Sequence, residues 1–201
     1  MTNTPLGRGC GQTSMGIKVL NRRKRAGGYF NNTTMWQYII IAISALMLFG
    51  FVALGVVKFG WLSCYSAYGP KWHEFYPKLN VWSVVTALSA LLMVPVLLEQ
   101  SAGNPWQFLG FLAPVSLTLV AASPDYQEGG FQNILHQVGA IGGALFILIY
   151  ICIIPKLLWA VIPFACAAVS LGLKIKGTLL FWLEMAVYLS TYVILIVMIA
   201  K

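Results

Sequence analysis

The chain is expected to fold as an all-α, polytopic transmembrane bundle. Three observations lead there. From Met35 to Ala200 the sequence is apolar almost without interruption. Hydrophobic residues make up 59% of the 201 residues and charged residues only 9%, against about 25% charged in a soluble domain. The polar breaks divide the apolar region into stretches of membrane-crossing length, and helices are the form in which such stretches satisfy their own backbone in lipid.

Residues 1–30 hold Gly, Thr, Asn and the basic cluster Arg22-Arg23-Lys24-Arg25, and read as a flexible basic tail. Residues 31–201 form the transmembrane domain. Its first span covers about 35–57, with Trp36 and Tyr38 as interfacial anchors and Asn31 to Thr34 as N-cap candidates. Lys58 to Asn80 is aromatic, polar and interrupted by Pro70 and Pro77, so it reads as a structured loop with one interfacial turn. The second span, about 81–98, ends in Glu99-Gln100-Ser101-Ala102-Gly103-Asn104-Pro105. The third, about 106–122, carries Pro114 and stops at Ser123-Pro124-Asp125. The remaining spans are about 133–154, 157–173 and 179–200, the fifth containing Pro163. Short connections make consecutive spans antiparallel, giving an up-down bundle of six crossings. Merging the fourth and fifth into one broken element gives five.

Charge sets the orientation. With the N-terminus in the cytoplasm, the inner side holds Arg8, Lys18, Arg22 to Arg25, Lys156 and Lys201. The outer side holds Lys58, Lys71, Lys78, Lys174 and Lys176. The inner excess rests on the Arg22–Arg25 cluster, which is close enough to the first span to act as a topogenic signal. Both termini are therefore expected in the cytoplasm of a cell-membrane protein. The net charge of +8 is absorbed by that role, because no aromatic-basic interleaving points to nucleic acid. The four cysteines, Cys10, Cys64, Cys152 and Cys166, show no C-x-x-C spacing. No secretory signal peptide is legible, since the apolar run is too long and lacks a small-residue cleavage site. The sequons at Asn31 and Asn32 abut the first span on the cytoplasmic side and are discounted.

With six spans, loops 1–2, 3–4 and 5–6 share one face of the membrane. His73 and Glu74 fall in the first of these and Asp125 and Glu128 in the second. His136 opens the fourth span, and Glu184 lies about two turns into the sixth; only Glu99 is opposite. Ionisable groups near membrane depth are costly and tend to face the bundle interior at a site. On the fourth span Asn133, His136, Gln137, Ala140 and Gly143 form a one-sided stripe, and Gly139-x-x-x-Gly143 permits close helix approach. On the sixth, Glu184, Tyr188, Thr191 and Tyr192 form another. The candidate polar cluster is thus His73, Glu74, Asp125, His136, Gln137, Glu184 and Tyr188. Glu184 needs a partner, for which His136, Lys174, Lys176 and a tyrosine hydroxyl are the options, or else a proton. Lys71, Tyr65, Tyr68 and Tyr76 are equally suited to lipid headgroups.

Three functions compete. The leading one is a membrane protein that binds a lipid, a small ligand or a membrane-protein partner through this cluster, with self-association also open. The second is a lipid hydrolase, acid/base or metal-dependent, in which His73, His136 and Asp125 or Glu184 would hold zinc and leave a position for water. No H-E-x-x-H, G-x-S-x-G or aspartate pair accompanies them. The third, proton-coupled transport through Glu184, lacks an internal repeat to support it. The residues Ser123-Pro124-Asp125, His136 and Gly139-Ala140, with the loop Ser63-Cys64-Tyr65-Ser66-Ala67-Tyr68, resemble patterns in the six-span DRAM/Frag-like membrane families and related bacterial families. That resemblance implies six spans and a polar cluster on the non-cytoplasmic side, and brings no reaction with it.

Overall fold

The computed structural model describes residues 13–173 and 177–201. Among these residues it is all-helical, without strands. The chain divides into two compact units, Met1–Trp36 and Gln37–Lys201. Seven α-helices occur among the described residues: α1 Thr13–Phe59, α2 Tyr68–Phe75, α3 Val81–Gln100, α4 Leu109–Ala121, α5 Gly130–Ile153, α6 Val161–Gly172 and α7 Leu179–Ile199.

The helices differ from the expected spans at their ends. The backbone is already helical at Thr13, inside the segment read as a flexible tail, because no proline interrupts the run from there to Phe59. Residues 1–12, including Arg8 and Cys10, lie outside the described residues, as do Lys174 and Lys176. The 58–80 connection holds more structure than one turn: a 3-10 turn at Tyr65–Ala67 runs into α2. Helix α5 starts at Gly130, earlier than expected, because Gly129 and Gly130 take φ of 84° and 65° and break the chain there.

Among the described residues four segments are long and apolar enough to cross a membrane: Thr34–Phe59, Val81–Gln100, Gly130–Ile153 and Leu179–Ile199. Helices α4 and α6 are apolar but shorter, at 13 and 12 residues, or roughly 20 Å and 18 Å of rise. Each is extended at its N-terminus. Leu109, Gly110 and Phe111 donate backbone bonds to Trp106, Gln107 and Phe108. A 3-10 turn, Leu158–Ala160, precedes α6. Pro163 is in the first turn of α6, where a missing N–H costs little, so it does not split the helix.

The most extensive packing is α4 against α5, followed by α3 against α4 and α6 against α7. Gly139 and Gly143 make the first of these close. A Cβ on Gly139 would stand 2.7 Å from the Ser116 carbonyl oxygen, and one on Gly143 would stand 3.3 Å from Leu117 Cδ2. Large apolar side chains such as Leu46, Leu54, Ile134, Ile141 and Leu189 are exposed around the helices, which is compatible with a membrane protein. The buried core is centred on Trp82, Val96, Leu97, Tyr150, Phe181, Ile194 and Leu195.

Candidate functional site

The connections after α1 and α4 meet the start of α7 at one end of the helices, and the contacts are specific. Phe181, in the first turn of α7, donates its N–H to the Ser63 carbonyl at 3.0 Å. The N–H of Tyr65 donates to Glu184 Oε2 at 2.5 Å. Cys64 Sγ lies 3.8 Å from the Tyr126 hydroxyl, to which Ser66 Oγ donates at 3.4 Å. His73 Nε2 faces Asp125 Oδ2 at 3.8 Å. The 60–80 segment therefore folds inward as a cap, held by a helix start, the half-buried Glu184 carboxylate and the 122–129 connection.

Local sequence explains the cap. Gly60, with φ of 75°, turns the chain off the end of α1. Gly55 leaves room for the Tyr68 ring, which a Cβ there would approach to 2.9 Å, and the Tyr68 hydroxyl donates back to the Gly60 carbonyl at 2.8 Å. Gly69 similarly admits the Trp82 ring and the Pro124 carbonyl. Asn80 caps α3, its Oδ1 accepting from Ser83 N–H at 3.1 Å. Tyr65 and Tyr68 are buried at 3% and 1% exposure, so the expectation that they meet lipid headgroups does not hold. Burial pushes both phenols above the usual tyrosine range.

Between the cap and the 122–129 connection an open cavity of about 410 Å³ is lined by Ser63, Lys71, His73, Glu74, Asp125 and Glu128, among others. Lys71 Nζ donates to Glu74 Oε2 at 3.3 Å across one turn of α2. Nδ1 of His73 is buried and has no hydrogen-bond partner among the described residues. Thus His73, Glu74 and Asp125 come together, and Lys71 and Glu128 join them.

The other candidates are placed differently. His136 is buried beneath Tyr126, their rings stacked at 3.9 Å and 17°. Burial raises the Tyr126 phenol, and the bond from Ser66 opposes that shift. Gln137, one residue on and therefore about 100° round the helix, is exposed and donates to Asn133 Oδ1 at 3.2 Å. Glu184 takes the Tyr65 backbone N–H as its partner rather than His136 or a tyrosine hydroxyl. Tyr188 packs edge-on against the Tyr65 ring at 5.9 Å. Among the described residues no three His, Cys, Asp or Glu side chains are placed to hold a metal ion. The zinc ligands proposed from sequence are dispersed: the His73–Asp125 pair lines the cavity, His136 lies under a ring and Glu184 under the cap.

Below Glu184 a polar seam runs between α1, α3 and α7. The Tyr65 hydroxyl and Thr86 Oγ1 are 2.7 Å apart. Ser44 Oγ donates to the Ser89 carbonyl at 2.7 Å and lies 2.7 Å from the Tyr192 hydroxyl. A void of about 10 Å³ between Thr86, Ser89, Tyr188 and Tyr192 is at the lower limit for one water molecule. Sequence reading named Tyr188 and Tyr192 but missed Ser44, Thr86 and Ser89. Single hydroxyls inside apolar helices give no periodic signal unless the partner helix is known. At the opposite end, Gln100 Nε2 donates to Gln37 Oε1 at 2.7 Å.

No protein-family model, curated protein or solved structure matches this chain.

Proposed function

We propose that the chain is a multi-pass membrane protein of six crossings, with both termini cytoplasmic, that binds a small polar ligand in the capped cavity on the far side. The observation that carries this reading is the convergence of the connections after α1 and α4 with the start of α7 at one end, with the His73–Asp125 pair and Lys71, Glu74 and Glu128 around one cavity. Six crossings require α4 and α6 to count as spans. Their N-terminal extensions support this, taking the helical rise from Trp106 and from Leu158 to roughly 22–24 Å, near the thin end of a hydrocarbon core. The Arg22–Arg25 cluster supports the orientation.

A lipid hydrolase is the second reading, favoured by one feature. His73 and Asp125 face each other at a water-accessible wall, where an imidazole oriented by a carboxylate can move a proton. Proton-coupled transport through Glu184 is the third. The seam below it supports entry to mid-helix depth, but beyond Ser44 and Tyr192 the buried residues are mostly apolar, Ile41, Leu97, Leu195 and Ile199 among them, with Gln37 and Ser101 polar at the far end.

The test is accessibility labelling of single cysteines in a background with the four native cysteines replaced by serine. Glu74→Cys and Glu128→Cys should react together with a membrane-impermeant maleimide from outside intact cells, and Glu99→Cys only after permeabilisation. Positions 74 and 128 labelling from opposite faces would overturn the topology and the ligand site together. Release of product from a lipid panel, lost on His73→Ala, would replace binding with hydrolysis.

A further inference from the structure

We infer that the capped cavity takes an ethanolamine-phosphate group presented by a membrane lipid, its ammonium between Asp125 and Glu128 and its phosphate at Lys71. This rests on the reading of the cavity as a ligand site.

Charge makes the first part of the case. The chain has only five carboxylates and a net charge of +8, yet Glu74, Asp125 and Glu128 all line this cavity. A strongly basic protein that places three of its five acids around one opening favours a cationic group there. The same wall carries Lys71 and His73, so a ligand of both signs fits better than a simple cation. A metal ion fits poorly, because the acids surround the opening without converging as a ligand set. The dispersed arrangement suits a longer molecule charged at each end. Its cost is small, since the Lys71–Glu74 pair is 50% and 75% exposed at its two side chains, and an exposed pair of this kind is readily exchanged.

Depth makes the second part. Helix α2 turns Lys71 and Glu74 to the cavity, while its other side carries Trp72 and Phe75 around the Lys58 ammonium. Nζ of Lys58 lies 5.0 Å from the Trp72 ring centroid, 2.8 Å from that of Phe75 and 5.4 Å from that of Tyr76. Phe75 and Tyr76 remain exposed at 53% and 45%. Nearby, Trp61 packs on Trp182 with centroids 4.8 Å apart, both rings half exposed. Amphipathic aromatic and lysine side chains grouped in this way sit at headgroup level. The cavity is then beside the headgroups, and a lipid reaches it laterally.

Chemistry separates the headgroups. A primary ammonium offers three N–H donors to the carboxylates, whereas choline offers none and is bound best by aromatic faces. No phenylalanine, tyrosine or tryptophan lines the cavity, and the rings of Trp72, Phe75 and Tyr76 surround Lys58, which leaves carboxylates, and so ethanolamine, as the recognition the cavity offers. A phosphatidylglycerol headgroup brings no cation at all.

The test uses full-length protein, detergent-purified, with phosphatidylethanolamine, phosphatidylcholine and phosphatidylglycerol titrated in native mass spectrometry. Phosphatidylethanolamine is expected to half-saturate at about tenfold lower concentration than either other lipid, about 1.4 kcal/mol. An Asp125→Asn/Glu128→Gln double variant should remove that preference, while Glu99→Gln at the other end keeps it. These are uncharged isosteres at partly exposed positions, and monodispersity on gel filtration checks the fold. Lys71→Met provides an independent second variant, expected to weaken binding of the same lipid severalfold. Equal retention of the three lipids, or a preference that survives the double variant, overturns the headgroup assignment. Free phosphoethanolamine competing as well as the lipid overturns the membrane source. The underlying cavity reading fails separately if a Ser63→Cys probe is labelled at the same rate with and without every lipid and phosphoethanolamine.

Discussion

Replacing Gly139 with alanine tests the close approach of α4 to α5. The added Cβ would stand 2.7 Å from the Ser116 carbonyl oxygen and 2.9 Å from both Leu119 Cβ and Val120 N. Two of those three atoms are backbone, so no side-chain rotation relieves the overlap and α4 must move away from α5. Overpacking of this kind costs about 1–3 kcal/mol. Alanine returns about 1 kcal/mol through helix propensity, leaving a net loss of up to about 2 kcal/mol. At Gly143 the nearest approaches are 3.3 Å to the flexible Leu117 Cδ2 and 3.4 Å to the Ala113 carbonyl, so alanine there should cost less. At Gly50 a Cβ would meet nothing within 4 Å, and alanine should be neutral or stabilising. Unfolding each variant with increasing SDS in mixed micelles, followed by helical circular dichroism, should rank them Gly139→Ala, Gly143→Ala and Gly50→Ala from least to most stable. A Gly139→Ala protein as stable as Gly50→Ala would refute the close α4–α5 approach.

Two further outcomes follow from the cap. Tyr65→Phe or Thr86→Val alone leaves one hydroxyl of a 2.7 Å pair without its partner, and should cost about 0.5–1.5 kcal/mol. The double variant should cost less than the sum of the two, measured by the same SDS titration. The buried phenols of Tyr65 and Tyr68 and the half-buried phenol of Tyr126 all have raised pKa values, with desolvation the leading cause. A group whose folded pKa lies above its unfolded value of about 10 contributes fully below pH 10 and loses that contribution as pH rises through the folded value. Stability should therefore hold to about pH 10 and fall above it. Absorbance near 295 nm should show these phenols ionising together with unfolding; full tyrosine ionisation at pH 10.5 in a still-helical protein would contradict their burial.

Legibility in the sequence followed the range of each interaction. Lipid exposure is a property of single residues summed along a helix, so the apolar runs around Val81–Gln100 and Leu179–Ile199 were visible without a partner. Glycine and proline punctuation placed most helix ends within a few residues. The departures came where local geometry outweighed the hydropathy pattern. The two glycines with positive φ moved the start of α5, and the absence of proline let α1 extend back to Thr13.

The candidate site was legible only as a list of scarce groups. Parity of the helices brings His73, Glu74 and Asp125 to one end, and that much is arithmetic on span count. Helical phase then separated neighbours that the list had joined: His136 points inward under Tyr126, and Gln137 points out to Asn133. The partner of Glu184 was a backbone N–H on a loop more than a hundred residues earlier, and no side-chain inventory contains backbone donors. The hydroxyls of Ser44, Thr86 and Ser89 were equally invisible, since each is an ordinary small residue until another helix supplies its mate.

What the sequence determined by itself was an all-helical chain with apolar helices long enough to cross a membrane, because hydropathy and helix punctuation are local and can be read off composition and spacing. Only the tertiary structure decided which carboxylates share a cavity, which tyrosines leave the surface and how closely α4 meets α5. Those outcomes depend on distances between segments far apart in sequence, which no local pattern encodes.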